Sequence, residues 1–188
     1  LLGGSFNPAH EGHLHIALMA IKRLRLDQVW LLVSPGNPLK QEASMGALSK
    51  RLQSARKIAD GRRVIATDIE RHLQTRFTVD TLRALKRLFP CARFVWLMGA
   101  DNLAQLPRWR GWMRIAREVP FAVLPRPTYT APARAGRAAR RLAFARHAAR
   151  EAPVLAAYRA PAWVFLDGRE NPVSATALRE AAQEKRDR

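Results

Sequence analysis

Apolar positions fall in two rhythms along this chain. Short unbroken apolar runs alternate with longer segments in which apolar residues recur every three or four positions. Val29–Val33 (VWLLV), Phe94–Met98 (FVWLM), Phe121–Leu124 (FAVL) and Trp163–Leu166 (WVFL) have strand length and lack polar alternation. Strands buried on both faces read this way. Val64–Ala66 predicts a further short strand. Between the runs, Ile16, Ala17, Ala20, Ile21 and Leu24 predict a helix starting near Gly12. Leu48, Leu52, Ala55 and Ala59 predict one over 48–59, and Val79, Leu82, Leu85 and Phe89 one that Thr78 starts. A short helix around 109–117, an arginine–alanine helix over 134–150 and a last helix capped by Ser174 complete the list. Alternating strands and helices imply an α/β fold, a doubly wound parallel sheet that binds ligands beyond the carboxyl ends of its strands. The loops 3–13, 34–40, 99–109, 125–127 and 167–174 would then converge on one edge. At 188 residues the chain reads as one domain, 1–188.

The first of those loops carries the most chemistry: Gly3-Gly4-Ser5-Phe6-Asn7-Pro8-Ala9-His10-Glu11-Gly12-His13. Paired glycines permit close backbone approach. The helix behind them offers unpaired N–H groups and the positive end of a dipole, so the loop is suited to an anion, above all phosphate. His10 and His13 add donors without permanent charge, or stand as surface residues. The loop is neither G-x-G-x-x-G nor a lysine-bearing P-loop. A metal role for the histidines lacks a third ligand, because Cys91 is the lone cysteine and no H-E-x-x-H is present.

Near the far end, Ser174, Thr176 and Arg179 lie in Asn171-Pro172-Val173-Ser174-Ala175-Thr176-Ala177-Leu178-Arg179. A capped helix start with a hydroxyl and a guanidinium three residues apart is a second phosphate cradle, or simply a capped helix. In Gly99-Ala100-Asp101-Asn102-Leu103, a carboxylate after a buried strand either accepts both ribose hydroxyls or caps the helix behind it. Trp109 reads equally as core or as a stacking surface. Lys40 and Arg126 are cations in strand-end loops, suited to phosphate or to solvent.

Taken together, Gly4-x-Phe6-x-Pro8-x-His10-x-Gly12-His13 resembles the G-x-F-x-P-x-H-x-G-H signature of nucleotidyltransferases with a Rossmann-like fold. The stretch 173–179 is similar to the I-S-S/A-T-x-I-R element of that superfamily. Gly99-x-Asp101-x-Leu103, Leu106-Pro107-x-Trp109 and Thr75–Leu82 resemble one subgroup, the nicotinate-nucleotide adenylyltransferases. Departures are Asn7, where Asp is usual, Leu39 in the His place of P-P-H-K, and the arginine-rich 134–150 segment. The resemblance implies adenylyl transfer from ATP to nicotinic acid mononucleotide. It implies an ATP site at Gly3, Gly4, Ser5, Phe6, His10, His13, Gly99, Asp101, Ser174, Thr176 and Arg179, with His10, His13 and Arg179 catalytic. Thr78, Trp109, Lys40 and Arg126 would meet the pyridine nucleotide, and Mg²⁺ would enter with ATP. Rivals are an enzyme preferring the amide nucleotide or phosphopantetheine.

Charge adds a rival of another class. The net charge is +18, with sixteen basic and seven acidic residues in 1–100 and seventeen and eight in 101–188. Such a chain attracts polyanions, yet no RNA-recognition module is readable. The run Arg134, Arg137, Arg140, Arg141, Arg146 and Arg150 reads as a solvated helix face, with nucleic acid an unfavoured main partner. No apolar run is long enough to span a membrane. The start Leu1-Leu2-Gly3 shows no signal peptide, and the first strand reads as cut short. The lone cysteine fits a cytoplasmic setting. Oligomeric state is left open.

Overall fold

A computed structural model describes residues 1–36 and 45–168. Seven parallel strands form one sheet in the order β3-β2-β1-β4-β5-β7-β6. They are β1 (Leu2–Gly4), β2 (Val29–Val33), β3 (Val64–Thr67), β4 (Trp96–Gly99), β5 (Phe121–Leu124), β6 (Arg146–His147) and β7 (Trp163–Phe165). The helices are α1 (Glu11–Leu24), α2 (Leu48–Ile58), α3 (Ile69–His72), α4 (Thr78–Leu88), α5 (Ala100–Gln105), α6 (Trp112–Glu118), α7 (Thr130–Ala135) and α8 (Arg137–Arg141). Central strand β1 pairs with β2 through Leu2 opposite Leu31 and with β4 through Leu2 opposite Leu97. The winding reverses between β1 and β4, which opens a crevice at their carboxyl ends.

The unbroken apolar runs are explained by two cores, one on each face. Successive side chains of a strand point to opposite faces. Trp96, Met98, Phe121, Val123, Trp163 and Phe165 therefore pack under α4 to α8. Leu97, Ala122, Leu124 and Val164 pack with Ala17, Ala20, Ile21 and Leu24 of α1. Phe121 and Trp163, on neighbouring strands, stack with ring centroids 5.4 Å apart.

The predicted 134–150 helix is corrected. Its alanine spacing is helical, but Gly136 is extended (φ −70°, ψ 166°) and separates α7 from α8. Residues 143–145 tighten into a 3-10 turn, and Arg146–His147 pair with β7 as the edge strand. Burial of Ala138, Ala139, Leu142 and Ala145 along the sheet edge outweighs helical continuity. Arg137, Arg140 and Arg141 do face solvent. Phe89 also departs from its expected place on the buried face of α4. It lies one residue past the helix, 38% exposed, edge-on to Trp30 at 5.4 Å.

Candidate active site

Gly3 has no room for a side chain, and Gly4 has little. A Cβ on Gly3 would lie 2.5 Å from the Trp96 indole, and one on Gly4 would lie 3.2 Å from the Phe6 ring. Phe6 takes φ 46°, a left-handed conformation unusual for an aromatic residue. That turn sends its ring inward, 1% exposed, to pack 4.9 Å from the His13 imidazole. Phe6 can thus meet a ligand through its backbone, while its ring braces His13.

The two histidines cap their own helix. His10 is the N-cap of α1, and its Nδ1 accepts the Gly12 N–H at 3.1 Å. His13 reaches back, its Nδ1 accepting the His10 N–H at 3.2 Å. This is a reciprocal capping box built from imidazoles. Both Nδ1 atoms accept, so each neutral ring carries its proton on Nε2. His10 Nε2 is buried and has no partner among the described residues. Burial, the neighbouring ring 3.9 Å away and the Arg126 guanidinium lower the His13 pKa to about 3. His10 is lowered by burial and by Arg126. Neither ring carries charge near neutral pH.

Across the crevice, Asp101 lies in the first turn of α5, where the helix dipole favours a carboxylate. It pairs with Arg126, Asp101 Oδ1 to Arg126 Nε 3.4 Å. Gly99 lies beneath them, and a Cβ there would press on Asp101 Oδ1 and lie 3.4 Å from Arg126 Nε, so a side chain would displace the pair. The structure thus brings together His10, His13, Asp101 and Arg126, from three strand-end loops. Among the described residues, no group of three or more His, Cys, Asp or Glu is placed to hold a metal. None of the described helices is long and apolar enough to cross a membrane.

Thr78 starts α4, and Trp109 follows a 3-10 turn at Leu106–Arg108. Their segments abut: the Arg110 guanidinium lies 4.5 Å over the Phe77 ring, and Gly111 faces Val79. Trp109 is half-buried, packed against the core. Lys40, Ser174, Thr176 and Arg179 lie outside the described residues.

Two buried groups escape a motif-based reading. Glu70 on α3 takes a hydrogen bond from the Thr81 hydroxyl at 2.9 Å, beneath the start of α4, and burial pushes its pKa up. Arg51 on α2 is 3% exposed and donates only to backbone carbonyls. Its signal was its spacing. Arg51 stands three residues after Leu48 and four before Ala55, on the apolar face, where a cation requires buried partners. Asn7 serves the same region, accepting the Gly46 N–H at 3.3 Å, a role that needs no charge.

A model of the cytidylyltransferase-like family matches residues 1–181. A protein of Gluconobacter oxydans named as a probable nicotinate-nucleotide adenylyltransferase is 59% identical over 97% of this chain and 94% of its own length. A protein of the same name from Gluconacetobacter diazotrophicus is 56% identical over 100% of this chain and 87% of its own. In fold, the chain resembles the Plasmodium falciparum nicotinic acid mononucleotide adenylyltransferase complexed with NaAD. That likeness has a TM-score of 0.66 at 16% identity, covering 95% of this chain and 80% of the other. On the strength of these full-length relatives, the chain belongs to the nicotinate-nucleotide adenylyltransferases of the cytidylyltransferase-like family.

Proposed function

We propose that this chain transfers AMP from ATP to nicotinic acid mononucleotide, releasing pyrophosphate and forming nicotinic acid adenine dinucleotide. The observation that carries the mechanism is the pair of neutral, mutually capped histidines at the mouth of α1, facing Asp101 and Arg126 across the β1–β4 crevice. An acceptor phosphate oxygen forms the new bond to the α-phosphorus, and the bond to the β-phosphate oxygen breaks. The attacking group is already anionic, so the reaction needs no general base. Positioning and charge neutralisation then lower the barrier.

Each group has a role that its geometry supports. His10 and His13 donate Nε2–H to phosphate oxygens as charge moves to the leaving pyrophosphate. The α1 N-terminus adds its dipole. Asp101 accepts from the ribose hydroxyls, and Arg126 balances that carboxylate while facing the phosphates. On sequence grounds Ser174, Thr176 and Arg179 hold the β and γ phosphates, Lys40 meets phosphate, and Thr78 with Trp109 receives the pyridine ring. Mg²⁺ arrives as part of the nucleotide substrate, held by phosphates and water. Incubation with MgATP and either pyridine mononucleotide, followed by pyrophosphate release and mass analysis of the dinucleotide, tests the reading. Absence of product with the nicotinate nucleotide overturns it.

A further inference from the structure

Four hydrogen bonds leave the Arg51 guanidinium, all to carbonyl oxygens. Nε donates to Gly46 at 2.7 Å, one terminal nitrogen to Ser5 at 2.8 Å and Ser34 at 2.7 Å, and the other to Pro35 at 3.2 Å. Ser34 and Pro35 directly follow β2, and Ser5 directly follows β1. The cation is therefore a clamp between two adjacent strand-end loops, and it sits on the β2 side of β1.

One of the four bonds has a directional consequence. The Ser5–Phe6 peptide is trans, so its C=O and N–H point in opposite directions. Arg51 holds the Ser5 carbonyl toward α2. The Phe6 N–H is then turned away from the guanidinium. On the other side of β1 from β2 lie β4 and β5, which Asp101 and Arg126 follow. The Phe6 N–H has no hydrogen-bond partner among the described residues. The left-handed φ of Phe6 is part of the same arrangement.

We infer that Arg51 is a positioning residue: by fixing the Ser5–Phe6 peptide plane it presents the Phe6 N–H to a phosphate group of the nucleotide. The inference deepens the adenylyl-transfer reading and rests on it for the identity of that phosphate. Lysine cannot replace the fork, since its one nitrogen has three donors and cannot make the four bonds that three guanidinium nitrogens make here.

The test uses the ¹⁵N-labelled whole chain titrated with inorganic pyrophosphate. In the wild type the Phe6 amide proton is expected to move downfield, and in Arg51→Lys and Arg51→Met the movement is lost. In steady-state assays both variants should lose at least tenfold in kcat, with KM for the acceptor within threefold of wild type. An unresponsive Phe6 amide in the wild type overturns the inference, even if a variant fails to fold. A folded Arg51→Met with unchanged kcat overturns it too. A Phe6 response in a protein that makes no dinucleotide sinks the adenylyl-transfer reading and leaves the Arg51 clamp standing as part of an anion site.

Discussion

His13 Nδ1 accepts the backbone N–H of His10 at 3.2 Å, so one contact both caps the helix and fixes the ring's tautomer. Structure and chemistry are joined at this bond. Removing the His13 ring should cost a transition-state donor, a loss of roughly 3 kcal/mol or about 10²-fold in rate. His13→Ala is expected to lower kcat by about that factor, with the KM for each substrate changed by less than about threefold. Pyrophosphate release under saturating substrates measures it. A variant within threefold of wild-type kcat removes His13 from the mechanism.

Acid should destabilise the fold through the same ring. The unfolded histidine titrates near 6.5, the folded one near about 3. Between those values the unfolded chain binds more protons, so stability is complete above pH 6.5 and declines as pH falls toward 3. Full slope for one histidine is about 1.4 kcal/mol per pH unit. His10, lowered too, acts in the same direction. Urea midpoints at pH 7.5 and 5.0 should differ more in wild type than in His13→Gln. Glutamine at that helical position retains the reciprocal cap, so the two proteins should match at pH 7.5.

Gly99 tests the crevice from below. Gly99→Ala places a methyl against Asp101 Oδ1 and Arg126, so the ion pair must shift. At least a tenfold loss in kcat/KM for ATP is expected. Gly36→Ala, which meets nothing within 4 Å, should stay within twofold. Equal behaviour of the two variants would show that the Asp101–Arg126 geometry is not used.

Arg137, Arg140 and Arg141 project into solvent from α8, whose buried face is Ala138 and Ala139. Exposed charges act through fields that salt screens. Replacing all three with Gln should leave kcat/KM within twofold at about 0.15 M salt. A tenfold loss would place the run in a substrate site.

Preference for the acid nucleotide should be strong. A carboxylate accepts with both oxygens, whereas an amide presents an NH₂ to donors that then go unpaired, at roughly 1–3 kcal/mol each. The expected margin in kcat/KM is at least about 10²-fold, or roughly 2.7 kcal/mol. Trp109→Ala should raise KM for the pyridine nucleotide and leave that for ATP nearly alone. Equal kcat/KM for the two nucleotides would contradict this preference while leaving adenylyl transfer intact.

The strands were readable because burial on both faces permits no polar interruption. Val29–Val33 and Phe121–Leu124 match their predicted spans to the residue. The β4 run was read two residues early, since Phe94 and Val95 are apolar but lie ahead of the paired segment. Short α3 and α5 carry too few turns to show a period. At the site, His10 and His13 were readable because the loop motif is local. The Asp101–Arg126 pair and the Arg51 clamp were not. Each joins residues far apart in sequence, and only the strand order makes them neighbours.

That strand order governs when the chain becomes competent. β1 contributes three residues, and it alone joins the β2 half to the β4 half. Leu2 meets Leu31 early in the chain, but its pairing with Leu97 closes a far longer loop. Loop closure costs entropy, and non-local pairing is slow. A chain in which the β1–β4 pairing has not formed holds the histidines in one half and Asp101 and Arg126 in the other. A nucleotide gripped by both halves would bind only the finished sheet, and by mass action it would act as a staple across its slowest seam.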